Sequence, residues 1–157
     1  MARVRSTASA YVSIQQETER GRDVINDIYQ QRLAALQARS NTLLEQEAGL
    51  ISEEVQAQIA ELESQSIELE TRRRSNLALL ERRRLEASNV ADIQLNSVLA
   101  TLLREAQASY ILNQQSALVW PDASNVTDRA IDLMNERVPS VSFEINISED
   151  DVESGSF

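Results

Sequence analysis

The feature that most constrains this chain is an apolar stripe of seven-residue period that loses its phase partway along. Tyr29, Leu36, Leu43 and Leu50 recur every seven residues, with Ile25 and Leu33 on the same face. Val55, Ile59, Leu62, Ser66 and Leu69 resume the repeat, but the step from Leu50 to Val55 is five residues. One straight helix cannot keep both stripes on one side. At the slip lie Gly49, suited to a helix C-terminus, Ser52, suited to an N-cap, and Glu53 and Glu54, which place negative charge on a first turn. The stretch 18–109 therefore reads as an antiparallel helical hairpin, with an arm at 22–84 and a tip near 49–52.

A hairpin of this kind cannot cover its own stripe, and composition offers little else to cover it. Of 157 residues, two are Phe, three Tyr and one Trp, and the apolar content is mostly aliphatic at helical spacing. Association with further copies or with a partner is expected. The chain has no Cys and no His, which excludes disulfides, zinc sites built on those ligands, thiol nucleophiles and histidine acid–base catalysis. Three Gly cannot assemble a phosphate loop. No enzyme activity, cofactor or metal is expected. All fifteen basic residues are Arg, against twenty-five acids, and the net charge of −10 argues against nucleic acid as a partner. No apolar run approaches the roughly 18 residues needed to span a membrane. The start carries Ala8-Ser9-Ala10, which mimics a cleavage site, but no apolar stretch precedes it. That implies a cytoplasmic chain or a mature, trimmed form.

In chain order, Ala8, Ala10, Val12 and Ile14 alternate with polar residues and Tyr11, the period-two pattern of a short strand. A helix from about Arg22 to Ala48 and a second from about Glu53 to Ala108 follow, the first roughly 40 Å long. Tyr110-Ile111-Leu112 and Ala117-Leu118-Val119-Trp120, separated by four polar residues and closed by Pro121, read as a β-hairpin. Asn125 to Asp128 start a short helix whose buried side is Ala130, Ile131, Leu133 and Met134. Val141, Phe143, Ile145 and Ile147 alternate as in an edge strand or a sticky tail, and an acidic, small-residue end follows that reads as disordered. The expected class is thus mainly α with a small β body: a long coiled-coil arm attached to a small β-sheet oligomerisation domain. The body comprises 8–21 and 85–137, and the tail 138–157.

This order of elements resembles the Skp/OmpH family of periplasmic chaperones. The resemblance rests most on 108–136, where Ser109-Tyr110-Ile111-Leu112-Asn113 and Ala117-Leu118-Val119-Trp120 resemble the family's paired C-terminal strands. Asn125-Val126-Thr127-Asp128-Arg129-Ala130-Ile131 is similar to its short-helix start. The tip and the Arg-rich returning helix also fall where that family has them. Two departures are plain: the first strand lacks the usual Val/Ile run, and the arms are acidic and without Lys. The resemblance implies a Skp-like homotrimer in the periplasm whose arms enclose a cavity. There, unfolded outer-membrane proteins would be held without ATP.

Three groups of residues are candidates for function. Val24, Leu44, Ile51 and Ile67 lie off the main stripe and could contact a client, or be surplus apolar surface. Arg72, Arg73, Arg74, Arg82, Arg83 and Arg84 form two triplets about 15 Å apart along the helix. They could attract anionic lipid, lipopolysaccharide or acidic clients, or pair across the hairpin with acids such as Asp27, Glu17 and Glu19. Tyr110, Ile111, Leu112, Leu118, Val119 and Trp120 would build the oligomerisation body. The leading expectation is an ATP-independent holdase; the rival is a structural or adaptor coiled coil that binds a partner helix.

Overall fold

A computed structural model describes residues 1–46, 52–113, 116 and 121–143. Its helices are α1 (Ala2–Thr7), α2 (Ser9–Gln46), α3 (Glu53–Glu105) and α4 (Thr127–Arg137), with a 3-10 turn at Asp122–Ser124. Among the described residues there is no β-strand, so the expected β-sheet body is not formed and the fold is mainly helical. The chain divides into two compact units.

The first unit holds residues 1–19 and 82–144. Its core joins Val4 of α1, Ala10 and Ile14 of α2, Ala87, Ala91, Leu95, Val98 and Leu102 of α3, and Ala130, Ile131, Leu133 and Met134 of α4. The strand expected at 8–14 is instead the start of α2. Its alternation hides a four-residue step, Ala10 to Ile14 to Thr18, and all three are buried. Two small alanines, here fully covered, let helices approach closely, and Ala is the best helix former. The chain breaks only at Ala8 (φ −65°, ψ 134°), between α1 and α2.

Tyr110 to Asn113 are likewise not assigned to a strand: among the described residues none pairs with them in a ladder, and Tyr110 is 71% exposed. The second half of the expected β-hairpin, with Leu118, Val119 and Trp120, lies outside the described residues, as does most of 141–147. Helix α3 stops at Glu105, short of the expected Ala108, because Gln107 turns into the left-handed region (φ 49°). Gln107 N–H bonds the Arg104 carbonyl at 3.2 Å and Ala108 N–H the Leu103 carbonyl at 3.0 Å, the paired bonds of a Schellman stop.

The second unit contains 20–46 of α2 and 53–81 of α3, running antiparallel. Helix α2 begins at Ser9 rather than near Arg22 and runs through Gly21 without a break. The start of α3 is capped as its sequence suggests: Ser52 Oγ accepts from Val55 N–H at 3.3 Å. Along α3, Leu62, Leu69 and Asn76 are buried at seven-residue steps, while Val55 and Ile59 are half-buried. Opposite them Ile25 is buried, and Tyr29, Leu33, Leu36 and Leu43 are half-buried. Two helices close only one side of such a seam. In the first unit the spacing changes: Ala87, Ala91, Leu95, Val98 and Leu102 step by four, four, three and four, so residues eleven apart, Ala87 and Val98 or Ala91 and Leu102, share the buried face.

Candidate functional site

The off-stripe apolar residues stand in solvent. Ile67 is 70% exposed, Val24 and Leu44 are each 44% exposed, and Ile51 lies outside the described residues. They are spread over both arm helices and do not converge on one pocket. On the first unit, Val90 and Ile93 of α3 are also more than half exposed. They sit in the stretch 87–103, where Asp92 is the sole charged residue.

The Arg triplets pair mainly along their own helix. Arg72 bonds Glu68, Arg74 Nε reaches Glu70 Oε1 at 2.9 Å, Arg82 Nε reaches Glu86 Oε1 at 3.1 Å, and Arg83 reaches Glu86 Oε2 at 3.3 Å. These acids lie one turn away, so each pair forms without help from the other helix. Arg84 is half-buried and also engaged. Arg73 differs. Its guanidinium holds both carboxylate oxygens of Glu70 (3.0 and 3.1 Å), donates across the hairpin to Asn26 Oδ1 at 3.2 Å, and lies 4.9 Å from the centre of the Tyr29 ring. Hydrogen bonds from Arg73 and then Arg74 hold the Glu70 carboxyl down at about 2.

Beside this cluster Asn76, only 6% exposed, faces a cavity of about 20 Å³ lined also by Ile25, Ile28, Tyr29 and Leu69, room for one water molecule. Arg73 and Asn76 were legible in principle. Each is fourteen residues beyond a seam position, Ile59 and Leu62, so extending the repeat places both polar groups inside the seam.

Nearer the tip the two arm helices leave an open groove. Leu43, Ala57 and Leu62 line it together with Arg39, Glu54 and Glu61.

In the first unit Tyr11 donates to Asp92 Oδ1 at 2.6 Å, and the Arg5 guanidinium holds both Asp92 oxygens at 3.2 and 2.9 Å. Burial first, then the bond to Asp92, pushes the Tyr11 phenol up to about 12. Of the expected body residues, Ile111 packs on the core, while Tyr110 and Leu112 are exposed. Among the described residues no three acids cluster as a metal site, and no helix is long and apolar enough to cross a membrane.

Comparison with protein-family models, with characterised proteins and with solved structures yields no match to this chain.

Proposed function

We propose that the chain is an ATP-independent holdase that shields unfolded polypeptides, outer-membrane proteins foremost, as a periplasmic homotrimer. The observation that carries this reading is that large apolar side chains stand in solvent on both arm helices, Val24 and Leu44 on α2 and Ile67 on α3. Each contact with a client is weak, and several arms acting together raise the effective concentration enough to hold it. Such holding needs no nucleotide. The resemblance to the Skp/OmpH family supplies the client class, the compartment and the count of three. Self-association has a suitable surface in the uncharged outer face of α3 around Val90 and Ile93. The exposed Arg74 and Arg82 suit contact with anionic lipid or lipopolysaccharide.

Light scattering together with suppression of aggregation tests this. A mass of three times 17.6 kDa, and a barrel protein kept soluble, are the expected results. The triple variant L44Q/I51Q/I67Q should hold the client less well at unchanged helicity. A monomer that suppresses nothing overturns the reading.

The half-buried seam at Leu36, Leu43, Val55 and Ile59 favours a second reading, an adaptor coiled coil that completes itself with a partner helix. A dimer or monomer that binds one folded partner and no unfolded client would select it.

A further inference from the structure

The distal groove of the arm carries a charge pattern that neither reading uses. The groove is lined by Arg39 and Leu43 on α2 and by residues from Glu54 to Gln65 on α3, which fall in a part of the sequence, 39–68, that has seven Glu and one Arg. Its floor is apolar: Leu62 is buried against the facing helix, while Leu43 and Ala57 remain open to the outside. Glu54 and Glu61 are both exposed on the rim, and against these two acids the groove lining carries one cation, the exposed Arg39. Being seven residues apart on α3, they project from one face about 10 Å apart.

We infer that this groove binds a basic amphipathic helix. An apolar stripe of the ligand would lie on Leu43, Ala57 and Leu62, completing a seam that two helices leave open on one side. Lys or Arg side chains at positions seven apart on the ligand would meet Glu54 and Glu61 in turn. The charge pattern selects among possible occupants. A second copy of this arm would bring seven Glu against seven, and an acidic polypeptide would meet the same repulsion. Both are disfavoured within the screening distance of about 8 Å at physiological salt. Only a cationic ligand gains from the rim and the floor together.

The inference does not depend on the holdase reading, since a folded helix can dock here whether or not unfolded chains are held elsewhere on the arm. The test is fluorescence anisotropy of the full chain with three labelled peptides of about 18 residues, long enough to form a helix. One has Leu and Lys at helical spacing, one has Glu in place of every Lys, and one is a scramble of the first that spoils the stripe. The Leu/Lys helix should bind at least about tenfold more tightly than either of the others. In E54Q/E61Q, which alters two exposed side chains and should leave circular dichroism unchanged, that affinity should fall about fivefold or more. Equal binding of the three peptides, no binding of the first, or an affinity unmoved by E54Q/E61Q would overturn the inference. Aggregation suppression by the same variant reports separately on the holdase, because Val24, Leu44 and Ile67 are intact in it.

Discussion

Asn135 on α4 caps the first turn of α2 by accepting from Ser9 twice, from its backbone N–H at 2.8 Å and from its hydroxyl at 2.9 Å. The cap comes from a residue 126 positions away, so the start of the longest amino-terminal element depends on the carboxy-terminal helix being in place. Replacing Asn135 by Ala strands a half-buried helix donor and should cost about 1 kcal/mol, lowering Tm by roughly 2–4 °C. Asn135→Asp keeps the acceptor and should lie near the parent protein. Thermal unfolding followed by circular dichroism decides it, and an Ala variant as stable as the parent would show that the cap contributes nothing.

Tyr11 should titrate late. Its phenol is held at about 12 against an ordinary 10.0, by burial and by its bond to Asp92. A group raised in the folded state stabilises the fold fully below the unfolded value, and this contribution fades as pH climbs from 10 through 12. Ultraviolet titration should show one of the three tyrosines ionising last, and Tyr11→Phe should delete that component. The same variant loses a hydrogen bond to a carboxylate, at a cost of about 1–2 kcal/mol. A titration unchanged by the substitution would refute the assignment.

The acid side has the opposite sign. Glu70 falls from 4.5 to about 2 through Arg73 and Arg74, so its contribution is complete above 4.5 and is lost as pH drops toward 2. Melting curves across this interval should fall more steeply for the parent protein than for Glu70→Gln. Parallel curves would mean that the carboxylate adds nothing.

At the end of α3, Gln107 occupies a left-handed position that carries a penalty for any residue with a Cβ. Gln107→Gly should raise stability by roughly 0.5–1 kcal/mol, because the Schellman stop is already built and only the side chain resists it. A lower Tm in this variant would mean that the Gln side chain has a role of its own.

The parts of the fold that could be read in the sequence are those set by long periodicity. The stripe through Ile25, Tyr29, Leu62 and Leu69, the cap at Ser52 and the buried side of α4 each follow from residues close together in the chain. The strand readings had no such support. At 8–14 a period of two cannot be told from a helical step of four when the residues are Ala and Ile, and the small size of Ala8 and Ala10 gave no hint that a helix would seal them. At 110–112 three apolar residues suggest a strand, but a strand exists only by its ladder, and that partner is a matter of tertiary structure. The Arg73, Asn26 and Tyr29 cluster is legible only in part: pairing across the hairpin near Asp27 is one of the two readings of the triplet, but which of three consecutive Arg turns inward follows only from extending the seam by sevens from Ile59.

The change from seven- to eleven-residue spacing along α3 also limits how the protein can grow or shrink through insertions and deletions. Near the tip, residues can be gained or lost in sevens, matched on both helices, without turning the apolar face outward. Between Ala87 and Leu102, where the buried face advances by four, four and three, a change of eleven keeps these positions in step. Descendants of such a chain would vary in arm length by whole heptads, while the first unit would keep its length or change it in a different measure.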